Sequence, residues 1–82
     1  MSVQPELEID RRHPATQQQM RWLAPNPNLI GTARRIAREI YTTSLLLMGL
    51  LEDGPELTTG LRKLREAKDC FVIQSLEDGD DS

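Results

Sequence analysis

Between residues 29 and 52, Ala33, Ile36, Ala37, Ile40, Ser44, Leu47, Met48 and Leu51 recur at intervals of three and four. That is the period of one α-helical face. A helix of this length spans roughly 35 Å at 1.5 Å per residue. Near its end Leu45, Leu46 and Leu50 fall outside the stripe, so residues 45–51 are apolar almost all round. A helix apolar on every side is buried on every side. One neighbouring helix cannot cover it, so this end predicts association with other subunits.

The size of the chain points the same way. It has 82 residues, and a core this small rarely supplies more than roughly 3–5 kcal/mol. Chains of this size add disulfides, a metal or a partner. Cys70 is the only cysteine, which excludes an internal disulfide, and Cys70 and His13 alone cannot make a four-ligand zinc site. No metal or other cofactor is expected. Trp22, Tyr41 and Phe71 are the only aromatic residues, so the core must be aliphatic. Self-association remains as the expected source of stability.

Two further helices flank the long one. Pro14 biases His13 towards an extended conformation, and Thr16 with Gln19 reads as a capping box. A short helix over residues 17–24 is expected, with Met20 and Leu23 on one face. Pro25 and Pro27 then break the chain, and Asn28 is placed to cap the long helix. Asp53-Gly54-Pro55 reads as a turn, with Gly54 suited to positive φ and Pro55 to the first helical position. A last helix over residues 55–76 carries the stripe Leu57, Gly60, Leu61, Leu64, Ala67 and Phe71. Gly60 and Ala67 are small enough for close helix approach. The short connection implies antiparallel neighbours. The predicted fold is all-α, a two-helix hairpin with a short N-terminal helix, assembled as a symmetric homo-oligomer. Residues 1–10 are expected to form a flexible arm, with a loose alternation of Val3, Leu7 and Ile9 that suits a strand-like contact. Residues 11–76 are the hairpin domain and residues 77–82 a disordered acidic tail.

The net charge of −3 conceals a segregation. Residues 1–10 carry −3, the last six carry −4, and the stretch between holds all ten Arg and Lys for a balance of +4. A basic body with acidic ends points to a small anionic ligand. Long nucleic acid is disfavoured, because the ends would repel it, and the helices are too long for a recognition-helix motif. No DNA partner is expected. Nor is a membrane: the apolar run at 45–51 is far short of the ~20 residues that span a bilayer, and the acidic start does not read as a signal peptide. A soluble, cytoplasmic protein is expected.

Catalysis has little to work with. His13 and Cys70 are far apart in sequence, Cys70 lies mid-helix, and the glycines are too scattered to cradle a phosphate. Binding has more. Arg34 and Arg38 lie one turn apart near a helix start, where guanidinium groups and backbone both favour phosphate. The alternative is a solvated face pairing with Glu39 and other acids, and the residues alone leave the two readings equal. Arg62, Lys63, Arg65 and Lys68 pose the same question on the last helix, since Lys63 can pair with Glu66. His13 either meets a ligand or closes the turn onto its own helix. Trp22 reads as a core or interface anchor.

Three segments carry a resemblance to a known family. His13-Pro14-Ala15-Thr16 resembles an HPxT opening, and Arg34-Arg35-Ile36-Ala37-Arg38-Glu39-Ile40 resembles a first long helix. Gly60-Leu61-Arg62-Lys63-Leu64-Arg65-Glu66-Ala67, preceded by Asp53-Gly54-Pro55-Glu56, resembles an ALxKLxEA second helix. In order and spacing they are similar to the small bacteriophage anti-CBASS sponges, across residues 11–76. The resemblance implies helical hairpins assembled as compact hexamers in the host cytoplasm. It implies immune evasion by sequestration of cyclic dinucleotides, and in some members cyclic trinucleotides or cyclic ADP-ribose isomers, without cleavage. It places Arg34 at a dinucleotide phosphate, and matches Lys63 and Glu66 to the second-helix signature. The family's aromatic before His-Pro is Arg12 here, its second-helix tryptophan is replaced by Cys70, and residues 24–30 look like an insertion. The expected ligand contacts are Arg34 and Arg38 on phosphates, Arg12 and His13 over bases, and Lys63 or Arg65 at a second anionic pocket. The competing expectation is a protein-interaction hairpin that docks a host or phage protein through residues 45–51.

Overall fold

The computed structural model of the chain describes residues 8–79. Among these, the regular structure is helical throughout: α1 (Pro14–Leu23), α2 (Gly31–Leu50) and α3 (Pro55–Glu77), with no strand. Most of the expected arm, residues 1–7, and the end of the expected tail, residues 80–82, lie outside the described residues. Glu8 and Ile9 are helical rather than strand-like, and Ile9 packs against the core. No helix among the described residues is long and apolar enough to cross a membrane.

The start of α1 corrects the expected capping box. The helix begins three residues early, at Pro14, whose fixed φ and missing N–H suit a first position. His13 is the cap, its Nδ1 accepting the Ala15 amide at 3.0 Å. Thr16 is therefore already inside the helix, and its hydroxyl donates across the fold to Asp53 Oδ1 at 2.8 Å. The Gln19 side chain makes no box either; its Oε1 is buried and has no partner among the described residues.

The long helix is shorter than its pattern at both ends. Asn26 Oδ1 accepts the Asn28 amide at 2.9 Å, an Asx turn that holds the break around the two prolines. The chain turns into α2 at Gly31, whose φ of 60° lies in the left-handed region that glycine enters without a Cβ clash. Ile30, not Asn28, occupies the cap position and offers no side-chain hydrogen bond. At the other end Leu51 is already extended. Gly54 is extended as well, with φ 173°, so the turn does not use the positive φ expected of it.

The core consists of Met20, Leu23, Met48, Leu57 and Leu61, with Ile9, Ile40, Tyr41, Leu45 and Leu64 packed around it. All three helices contact one another. α2 turns small side chains inward, burying Ala33, Ala37 and Ser44 beside Met48. On α3 the buried line is Leu57, Leu61, Lys68 and Ser75. Two stripe expectations fail there: Phe71 is exposed, and Gly60 is exposed with open space where a Cβ would stand. The end of α2 remains uncovered, with Leu46 63% and Leu50 71% exposed.

Candidate functional site

The basic residues singled out in the sequence divide into three places. The first is the junction of α1 with the end of α2. Arg12 donates from Nε to Asp53 Oδ1 at 3.0 Å, from Nη1 to the Met48 carbonyl at 2.7 Å and from Nη2 to the Leu51 carbonyl at 2.6 Å. The last carbonyls of a helix lack intrahelical donors and carry the negative end of its dipole. A planar guanidinium reaches one of them, the Leu51 carbonyl just past the helix and a carboxylate at once. Only 11% of the Arg12 side chain is exposed, so its donors serve the fold, and no free guanidinium plane is presented to a base.

Asp53 completes this junction. Besides Arg12 it accepts the His13 amide at 3.0 Å and the Thr16 hydroxyl. The His13 amide, the Thr16 hydroxyl and the Arg12 guanidinium together hold its carboxyl below the ordinary value of 3.8, against a smaller upward push from burial. Gln17 secures the same corner by donating to the carbonyls of Asp10 and Arg12. A concavity of about 290 Å³ opens beside His13, Thr16, Asp53 and Thr58. In the sequence Asp53 stands out only by its place in a turn. Its partner residues are forty or so positions away, and no local pattern marks them.

The second place is the first half of α2. Arg34, Arg35 and Arg38 surround a shallow depression of about 560 Å³ with Gly31, Glu39 and Thr42. All three arginines are exposed. Among the described residues no hydrogen bond or ion pair engages any of their guanidinium groups, Glu39 included. Arg34 and Arg38 therefore stand together, as their spacing implied.

The third place is α3. Lys63 is exposed, and Glu66 pairs with Arg62 at 3.2 Å rather than with Lys63. Arg65 lies over the Trp22 ring, 4.4 Å from its centroid, a cation–π contact. Trp22 is not a core anchor, being 46% exposed. Lys68, grouped in the sequence with the surface cations, is buried and donates from Nζ to the Trp22 carbonyl at 2.9 Å. Its signal was present: it stands seven residues after Leu61 and four after Leu64, on the inward line. Burial is the main reason its pKa falls below 10.5.

Arg12 and His13 adjoin the end of α2, whereas Arg34 and Arg38 lie on its first turns. Fourteen residues of helix separate Met48 from Arg34, roughly 20 Å. One chain does not bring the two groups together. Among the described residues no cluster of three or more His, Cys, Asp or Glu is arranged for a metal. Cys70 is exposed on α3. Comparison of the chain with family models, curated proteins and solved structures finds no match.

Proposed function

We propose that this chain is a self-assembling, non-catalytic binder of small phosphate-bearing nucleotides, of the cyclic-oligonucleotide class that serves as bacterial immune signals. The observation that carries the reading is the trio Arg34, Arg35 and Arg38, exposed around one depression and without an ion-pair partner among the described residues. Like charges held this close repel unless an anion lies among them, and a phosphate accepts paired N–H donors from a guanidinium. Sequestration needs only tight binding, by a protein that outnumbers the signal, in the host cytoplasm. The choice of cyclic oligonucleotides rests on the resemblance of the three sequence segments.

The uncovered apolar end of α2 supports assembly, in the hairpin hexamer that the resemblance implies. Assembly also supplies what a single chain lacks, because another copy can bring His13 or Lys63 towards Arg34. Arg12 has no part in the pocket under this reading, since its donors are engaged within the fold. Calorimetric titration of the assembled protein with cyclic di- and trinucleotides tests the proposal. Binding should weaken at least tenfold in Arg34→Ala and Arg38→Ala while the assembly keeps its mass. Absence of heat with every ligand, at protein concentrations above about 10 µM, would sink it.

A second reading has its own observation. A groove of about 530 Å³ along Leu45, Leu46, Met48 and Leu50 suits a partner protein's apolar segment. It requires a monomer or dimer that grows only with that partner, which light scattering on the isolated chain distinguishes.

A further inference from the structure

Trp22 sits at the edge of a second groove, of about 470 Å³, formed where the 24–30 connection crosses α3. Asn26 and Leu29 line it from the connection, and Lys68, Asp69 and Ile73 from α3. Three features of this groove present chemistry that the fold leaves exposed. Trp22 is 46% exposed although it is the largest side chain in the molecule. Asn26 spends its Oδ1 on the Asn28 amide, and among the described residues its Nδ2 donor has no partner. Asp69 is exposed, and no hydrogen bond or ion pair engages its carboxylate among the described residues.

We infer that this groove is a nucleobase site, in which a purine carrying an exocyclic amino group stacks on Trp22 and is read by Asn26 and Asp69. The indole offers the flat apolar surface that a base needs. Arg65 covers one face of the ring at 4.4 Å and does not line the groove, so the base takes the groove side of the indole, while Lys68 fixes the Trp22 backbone through the carbonyl. The platform is therefore held before a ligand arrives, which lowers the ordering cost of binding. The polar pair complements a base edge: the Asn26 amide donates to a ring nitrogen or carbonyl, and the Asp69 carboxylate accepts from the amino group. A carboxylate next to the groove disfavours a phosphate there, so the site takes the base and leaves the phosphate to other cations.

This site takes the same ligand class as the proposed function but stands on different residues. A nucleoside, which has no phosphate, tests it without involving Arg34 or Arg38. Trp22 is the only tryptophan, so its indole N–H gives a single resonance in a proton–nitrogen NMR spectrum. Titration with adenosine or guanosine should move that resonance to saturation, with a midpoint on the order of 1 mM. Inosine, which lacks the amino group, and ribose should move it much less. Asp69→Asn, a surface change, should weaken purine binding about tenfold, the loss of one charge-assisted hydrogen bond. Three results would overturn the inference. One is a resonance that stays fixed up to about 10 mM nucleoside in protein that keeps its helical circular dichroism. Another is a resonance that shifts with protein concentration and not with nucleoside, which assigns Trp22 to a contact between copies. The third is an Asp69→Asn variant that binds purines as well as the unchanged protein does.

Discussion

Arg12 Nε lies 3.0 Å from Asp53 Oδ1, a contact that ties the entry of α1 to the turn after α2. The same guanidinium holds the Met48 and Leu51 carbonyls, so one side chain ends the long helix and anchors the short one. Removing it takes the charged donor from the Met48 and Leu51 carbonyls and leaves Asp53 with only the His13 amide and the Thr16 hydroxyl. Arg12→Ala should cost about 2–3 kcal/mol, on the order of 10–20 °C in Tm for a domain of this size. Arg12→Lys should recover less than half, because an ammonium cannot span the three acceptors as a planar fork does. Thermal unfolding at fixed protein concentration measures both. A loss under about 0.5 kcal/mol for the alanine variant would show that water replaces the guanidinium at no cost.

Asp53 makes the same junction sensitive to acid. Its carboxyl is held below 3.8 by the His13 amide, the Thr16 hydroxyl and Arg12. A carboxyl with a depressed folded-state pKa binds fewer protons folded than unfolded. Its contribution is therefore complete above the unfolded value and is lost as pH falls through the folded one. The stability of the chain should decline as the pH drops below about 3.8. Asp53→Asn should be less stable at neutral pH and show a shallower acid decline. Urea midpoints across pH 2 to 6, about the ordinary carboxylate range, compare the two; parallel curves would exclude Asp53 as a source of the acid response.

How much of this was legible in the sequence follows from the range of each interaction. Helix content, the proline breaks, the start of α3 at Pro55 and the burial of Ala33, Ala37, Met48, Leu57 and Leu61 come from local periodicity, and they could be read. The grouping of Arg34 and Arg38 was equally readable, since a single helix fixes their spacing. The start of α1 and the end of α2 were not. They are set by Arg12, Thr16 and Asp53, which meet from distant parts of the chain. Thr16 looked like a cap because its local alternative is one. Lys68 was misplaced among the surface cations because its charge outweighed its position on the Leu57–Leu61–Leu64 line.

Lys68 supplies an opposite pH response. Its pKa lies below 10.5, because burial disfavours the ammonium and Arg65 adds repulsion, with Asp69 partly offsetting both. The unfolded chain then binds the proton more tightly than the folded one. Charged Lys68 therefore carries its full desolvation cost at neutral pH, and stability recovers as pH rises through the folded value towards 10.5. Lys68→Met exchanges that cost for the loss of one hydrogen bond to the Trp22 carbonyl. The variant should fall within about 1 kcal/mol of the parent at pH 7, and the difference should shift in the parent's favour as pH rises. Lys68→Glu should be far worse, since a carboxylate cannot donate to that carbonyl. Chemical denaturation at pH 7 and in the alkaline range reads the sign; a difference between parent and Lys68→Met that is constant with pH would contradict it.

The exposed leucines of α2 allow the last test. Leu46 and Leu50 stand one turn apart, 63% and 71% exposed, with Leu47 and Leu51 beside them. None of the four is in the buried core cluster, so charging two of them should leave the fold of one chain intact. Covering such side chains is worth roughly 1.5–3 kcal/mol each, and a carboxylate in their place opposes a dry contact. Leu46→Glu with Leu50→Glu should therefore lower the mass in solution towards the 9.3 kDa of a single chain. Helical circular dichroism at high protein concentration should change little, while Tm should fall and lose its dependence on concentration. Light scattering and thermal scans across a dilution series give both quantities. If the unchanged chain already sediments as a single copy at micromolar concentration with full helicity, these leucines do not hold copies together, and a pocket shared between subunits has no basis.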